Sequence, residues 1–413
     1  MPTNIYGTTN RKTGDSTHGQ NTVVHYYDKA GVKAANAIAV YAQFSDRRSM
    51  PLKMGTTYKV SKWLHIYDRE VTAGDFATKG YLTARNIVDV SAGMPTLAEG
   101  AGAVNKVSIK KVTLETNFAR YGEMLDYTDE VEMFSEDAVQ VHYREELGLL
   151  ANRRNEDLVQ LDMLSTSTVM YPGTASSLHS VGVDVTATDS SDDDDVKVSY
   201  DLIRKGVRRL VRNRAEKNTS IVTGSTKIDT RTVNKAFYAI IGPEVKFDLE
   251  NLTRGSGQET EYVYVPAYKY ADASNLAEGE VGAMNDVRFI ESESQLVYAG
   301  AGDEVPTGYA GGLSTTTLDA TTAAALNTFT GTSNYSNAEV RFDVYPILFP
   351  TKGSFATVGL KGHGKIKFNS QAPSKIELSN PYGTQGFFSY NMWYAGIILR
   401  EERLMKMLVA ASA

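Results

Sequence analysis

FSEDAVQVHYREELGLLANRRNEDLVQLDMLS, residues 134–165, carries the strongest helical pattern in the chain. Ser135 is placed to cap it, with Glu136 and Asp137 in the first turn, where unpaired N–H groups and the helix dipole favour negative charge. Ala138, Val141, Leu149, Leu150, Leu158, Leu161, Met163 and Leu164 recur at roughly helical spacing, with acids and bases interleaved between them. At 1.5 Å per residue, about 30 residues make a rod of roughly 45 Å. That is long for a globular-domain helix and suits a spine spanning the molecule.

Upstream of this helix the pattern is β-like. YKVSKWLHIYD (58–68) alternates Tyr58, Val60 and then Leu64, Ile66 against polar neighbours. A Gly- and Ala-rich stretch follows, SAGMPTLAEGAGAV (91–104), and then KVSIKKVTLETNFARYG (106–122). In the latter Val107 and Ile109, then Val112, Leu114, Thr116 and Phe118, share a period of two, with a change of phase near Lys110–Lys111 that predicts a bulge or bend. Two strand-like arms around a Gly-rich tip predict a long hairpin, able to project several tens of ångströms at ~3.3 Å per residue. The first 45 residues read as an extended arm, polar over 1–22 and apolar over VVHYYDKAGVKAANAIAVYAQF (23–44), that gains order on a neighbour.

Downstream, TATDSSDDDDVKV (186–198) reads as a loop and SYDLIRKGVRRLVRNRAEK (199–217) as a second helix. Its apolar stripe is expected to be Ile203, Val207, Leu210 and Val211, which leaves Arg204, Lys205, Arg208, Arg209, Arg212 and Arg214 opposite. Those bases have three readings: nucleic acid, an acidic patch on another subunit, or solvent. A mixed region runs to about 290, and GYAGGLSTTTLDATTAAALNTFTGTSNYSNAEV (308–340) is low in charge and reads as a loop or insertion. Strands return in RFDVYPILFP (341–350), FATVGLKGHGKIKF (355–368) and FFSYNMWYAGIILR (387–400).

Composition closes off several classes of function. The 413 residues suffice for two or three domains, with 42% hydrophobic and 22% charged residues as in ordinary globular proteins. There is no cysteine, so disulfides, thiolate metal sites and cysteine nucleophiles are out. The six histidines, His18, His25, His65, His142, His179 and His363, are too scattered for a sequence-local ligand pair. Net charge is −6, from 43 basic and 49 acidic residues, which makes a poor DNA binder and leaves a container for DNA open, since a wall that repels phosphate lets DNA slide. No apolar run approaches the ~20 residues that cross a bilayer, and residues 1–22 lack the apolar core of a signal peptide. Synthesis and residence in a cytoplasm, away from membranes, are expected.

The motif-like stretches favour bland readings. GLKGHGKI (359–366) fits G-x4-G-K, but Ile366 stands where the phosphate loop needs Ser or Thr. Asp192–Asp195 lack the alternating acids and turn glycine of a calcium loop, and read as a solvated loop. No hydrolase, metalloprotease or dinucleotide motif occurs in a credible context. The chain is expected not to be an enzyme, with no catalytic, cofactor-binding or metal residue and no cofactor.

Seven stretches in order resemble the major capsid proteins related to that of coliphage N-four, within the Hong Kong 97-type capsid fold. They are MPLKMGTTYKVSKW (50–63), LAEG (97–100), YGEMLDYTDEV (121–131), EELGLLANRRNEDL (145–158), GEVGAMNDVRFIES (279–292), YPILFPTKGSFATVGL (345–360) and NPYGTQGFFSYNMWYAGIILREE (380–402). Ala101-Gly102-Ala103 replace a proline usual after the LAEG-like turn, and 308–340 stands out as an insertion. The resemblance implies an α+β fold with an N-terminal arm (1–45), an E-loop hairpin (46–115), a peripheral domain with the spine helix (116–198), an axial domain (199–340) ending in the Thr/Gly-rich insertion, and returning strands of both domains (341–413). It implies a structural subunit that self-assembles through hexamers and pentamers into an icosahedral-type head. That head encloses double-stranded DNA without sequence-specific binding, is assembled in a bacterial host cytoplasm, and has scaffold, portal and decoration proteins as further partners. A β-rich tail or decoration component of a virion is the alternative.

Overall fold

The computed structural model describes residues 40–64, 87–92, 110–134, 139–182, 196–222, 230–254, 261–262, 264–270, 276–307, 311–361, 366–373 and 380–413, with a few single positions besides. The Ser135 cap, the Asp192–Asp195 loop and residues 362–365 of the glycine-flanked stretch lie outside them, as does the arm before Val40.

In chain order the strands are β1 (Asp46–Met50), β2 (Thr57–Leu64), β3 (Lys110–Asn117), β4 (Ala119–Thr128), β5 (Val169–Met170), β6 (Asn218–Val222), β7 (Thr230–Ile241), β8 (Thr253–Arg254), β9 (Glu261–Tyr262) and β10 (Val265–Pro266). They continue with β11 (Glu280–Met284), β12 (Val287–Glu291), β13 (Thr315–Thr317), β14 (Val340–Phe342), β15 (Tyr345–Phe349), β16 (Phe355–Leu360), β17 (Ile366–Gln371), β18 (Gln385–Tyr394), β19 (Gly396–Ile398) and β20 (Met405–Val409). The helices are α1 (Ile87–Ala92), α2 (Asp129–Phe134), α3 (Val139–Leu164), α4 (Tyr200–Arg212), α5 (Pro243–Glu250) and α6 (Ala320–Thr330).

The centre is an eight-stranded mixed sheet in the order β10-β11-β12-β7-β15-β20-β5, with β6 also paired to β7. AFYAII (236–241) in β7 and YPILF (345–349) in β15 are apolar throughout because both faces of the sheet are covered. Phe237, Ala239, Ile241, Ile347, Phe349 and Met407 face Leu202, Ile203 and Leu210 of α4 and Val245 and Leu249 of α5. Ala236, Tyr238, Ile240 and Leu348 face the other way, onto Val159, Met163 and Leu164 of α3 and onto Val40, Tyr41 and Phe44. Each such buried side chain contributes ~1.5–3 kcal/mol relative to exposure.

The spine helix is real over 26 residues, but its buried stripe is only partly the expected one. Met163 and Leu164 are buried as expected, whereas Val141 and Leu161 are more than half exposed and Leu147, Ala151 and Val159 are buried as well. The reason is a change of partner along the helix. Leu147 and Ala151, with Tyr143 and Leu150, pack on Phe388, Tyr390 and Met392 of the three-stranded sheet β17-β18-β4. Val159 and Met163 pack on the central sheet. At 100° per residue, Leu147 and Met163 lie about 160° apart around the axis, so no single stripe runs the length of the helix.

A second three-stranded sheet, β1-β16-β19, joins the N-terminal segment to the C-terminal strands: β1 pairs in parallel with β16, Asp46 opposite Ala356 and Met50 opposite Leu360. Residues 311–340, read as a loop or insertion, instead hold β13, β14 and helix α6. Asp319 caps α6 by accepting from Thr322 N, and Gly331 ends it in the left-handed region at φ 68°. Alanine-rich composition suits that helix; low charge had masked it. The GEVGAMNDVRFIES stretch is the hairpin β11–β12, turned at Asn285 with φ 52° and Asp286.

Candidate assembly surfaces

The two arms of the predicted hairpin do pair. β2 and β3 run antiparallel from Thr57 opposite Asn117 to Leu64 opposite Lys110, in one unbroken register over the described residues. Lys110 and Lys111 continue the ladder, and the residues before Lys110, where the expected bulge or bend would begin, lie outside the described residues. One face is buried: Tyr58, Val60 and Leu114 cover Met50, Val358 and Ile397 of the small sheet. On that face the Thr116 hydroxyl donates to Gly396 O at 2.8 Å, and Lys62 Nζ meets Glu402 Oε1 at 3.2 Å. The other face is held by directly opposed pairs. The Thr57 hydroxyl donates to Asn117 Oδ1 at 2.7 Å, Lys59 meets Glu115 at 3.0 Å, and Lys111 Nζ lies 5.7 Å from the Trp63 ring, which is 62% exposed. A two-stranded ribbon with one covered face is marginal without more contacts.

Beside the start of the spine, α2 presents Met133 and Phe134 at 73% and 84% exposure. A helix turn whose largest apolar side chains face outward is ordinary in an interface and costly in free water.

Helix α4 forms with Ser199 as N-cap, its side chain accepting from Leu202 N at 3.2 Å. Leu202, Ile203, Gly206 and Leu210 make its buried stripe. Val211, expected in that stripe, is 57% exposed, because one step of 100° beyond Leu210 carries it round towards the bases. Gly206 belongs to the buried stripe: a Cβ there would sit 2.0 Å from Met407 Cε, so the helix lies directly on β20. Arg204, Lys205, Arg208, Arg212 and Arg214 are exposed. Arg209 is structural, its guanidinium donating to Val169 O at 2.7 Å, and Arg204 stacks on Tyr200 at 5.3 Å.

At the C-terminal end of α4 the surface is concave. A cleft of about 490 Å³ is lined by Val211, Ala215, Glu216, Lys217, Thr219, Lys235, Phe237 and Lys352. Lys217 meets Asp286 at 3.0 Å and lies 5.5 Å from the Phe237 ring. Near Lys352, burial lifts the Asp46 carboxyl above the usual range while Arg48 and Lys352 pull it down. Lysines 217, 235 and 352 come from three separate segments, so no local pattern announces them.

Among the described residues, no three of His, Asp and Glu converge as metal ligands, and no helix is long and apolar enough to cross a membrane. His142 and His179 are the histidines within the described residues.

No family model matches the chain. It is 28% identical over 404 residues to the major capsid protein of Pseudomonas phage KPP21, covering 94% of this chain and 92% of that one. Its fold is similar to the capsid of Ralstonia phage GP4, with TM-score 0.55 and 10% identity over 96% of this chain and 97% of that one. It is similar too to the acid-stable capsid structure of Helicobacter pylori bacteriophage KHP30, with TM-score 0.52 and 7% identity over 98% and 100%. The chain is a phage major capsid protein. As a capsid protein it is structural and not an enzyme, and it works by association with itself in the head shell. The tail or decoration alternative is set aside. Its surfaces are then its site: the half-covered hairpin, the exposed apolar turn of α2, and the basic end of α4.

Proposed function

We propose that the chain is a Hong Kong 97-type subunit of the group related to the coliphage N-four capsid protein. It builds an icosahedral-type head through hexamers and pentamers. In this reading residues 1–45 are the N-terminal arm and 46–115 the E-loop, both lying across neighbours. Residues 116–198 form the peripheral domain around the spine helix, residues 199–340 the axial domain at the centre of each ring, and 341–413 return through both. Heads assemble in the bacterial host cytoplasm, with scaffold, portal and decoration proteins as partners, and enclose double-stranded DNA without reading its sequence. Cohesion between subunits is noncovalent.

The observation that carries this reading is the β2–β3 ribbon. Its described part seats one face on the subunit's own small sheet and turns the exposed Trp63 and opposed surface pairs outward, where a neighbour can pack and add to a marginal ribbon. Many modest contacts of this kind sum to a strong shell. The test is deletion of residues 70–104 and electron microscopy of the purified product. Soluble small oligomers without closed shells are expected; normal particles would overturn the E-loop assignment.

A further inference from the structure

We propose that the basic cleft at the end of α4 receives the acidic run Asp192–Asp195 of a neighbouring copy; this rests on the subunit reading above. Three observations carry it. The first is charge. The cleft is lined by Lys217, Lys235 and Lys352 with one acid, Glu216; Asp286 pairs with Lys217 and Asp46 lies near Lys352 at its edge, and Arg212 and Arg214 are exposed close by in the chain. DSSDDDD (189–195) is the densest run of one charge in the chain. A basic patch and an acidic run on the same surface-built oligomer are complementary, and their attraction both steers encounter and fixes register.

The second is size. About 490 Å³ lined by eight residues accommodates a few side chains of an extended peptide. A duplex phosphate backbone is convex and far larger, and would touch only the rim. The floor is apolar, with Val211, Ala215 and the edge of Phe237, which suits the methylenes and backbone of a peptide between its carboxylates.

The third is polarity. The run ends five residues before Tyr200, the first residue of α4, and the cleft begins at Val211, one residue before its last. Donor and acceptor thus belong to opposite ends of a 13-residue helix, about 20 Å long. Two complementary patches at opposite ends of one element make a head-to-tail contact, and head-to-tail contacts repeated around an axis close rings. One contact type then serves rings of different copy number, since only the angle between copies changes.

The experiment is charge reversal in the full chain. Lys235→Glu with Lys352→Glu, leaving Lys217 on Asp286, should cut the yield of closed particles at least tenfold. Asp192→Lys, Asp193→Lys, Asp194→Lys and Asp195→Lys should do the same. The two sets combined should recover part of the yield. Unchanged Tm of the dissociated subunits excludes misfolding. In parallel, a labelled peptide of residues 188–196 should bind wild-type subunits and lose at least tenfold in affinity against the Lys235→Glu, Lys352→Glu subunit. Wild-type yield from either single set, no rescue in the combination, or no peptide binding would each overturn the proposal. Normal particles that retain less DNA would also overturn it and make the cleft a DNA contact. If the wild-type chain itself formed no rings or shells, the subunit reading would be the one to fail.

Discussion

The Tyr394 hydroxyl donates to Asp162 Oδ2 at 2.8 Å, tying the end of β18 to the last turn of the spine helix. The pair has room only because residue 396 is glycine: a Cβ there would lie 2.1 Å from the same carboxylate oxygen. Burial lifts the Asp162 carboxyl above the usual range, and the Tyr394 hydrogen bond pulls it back. The folded state therefore holds the Asp162 proton more tightly than the unfolded chain does. This group's contribution is greatest below the ordinary carboxylate pKa and declines as pH rises through the raised folded value. Tyr394→Phe removes the donor and should cost about 1.5–3 kcal/mol at neutral pH. Asp162→Asn should flatten the pH slope. Urea midpoints of dissociated subunits between about pH 3 and pH 7 measure both. An unchanged midpoint for Tyr394→Phe would rule out the tie.

The two halves of the spine helix bury their side chains in different cores, so damage to them should be independent. Leu147→Ala and Met163→Ala should each cost about 2–5 kcal/mol. The sites stand about 24 Å apart along the helix, in two clusters that meet only at Leu158. The double variant should equal the sum within about 0.5 kcal/mol, measured by denaturant unfolding. Strong coupling would mean that the helix yields as one lever rather than sitting on two seats.

With a net charge of −6, the free subunit should bind duplex DNA weakly, because few phosphates are neutralised and few counterions released. No gel shift is expected at physiological salt. Arg204→Gln, Arg208→Gln and Arg212→Gln, which spare the structural Arg209, should disturb particle yield more than DNA retention. Submicromolar duplex binding abolished by that triple substitution would reverse the assignment of the helix.

Where a segment's structure follows from its own pattern, the sequence was enough. Ser199 and the apolar steps of α4 announce that helix, and the unbroken YPILF of β15 announces a strand covered on both faces. The hairpin arms were legible because Tyr58, Val60 and Leu114 alternate with charge. The failures share a cause: the deciding partner is distant in sequence. Gly206 belongs to the buried stripe only because β20 lies directly against it, with Met405 and Met407 filling the space a Cβ would need. The spine's burial departs from its sequence pattern because two sheets, not one, set it. The basic cleft was invisible, since its lysines meet only after β6, β7 and the turn at Lys352 have come together.

The parallel pairing of β1 with β16 has a bearing on how the chain is made. Asp46 must wait for Ala356, and β16 in turn pairs with β19 through Phe355 and Ile398. A ribosome adding ~5–20 residues per second needs roughly 15–60 s to travel from one to the other. Throughout that interval the small sheet under the hairpin cannot close, so the β2–β3 ribbon has no seat. The hairpin's seat therefore forms late in synthesis, only once the strands around Phe355 and Ile398 have emerged.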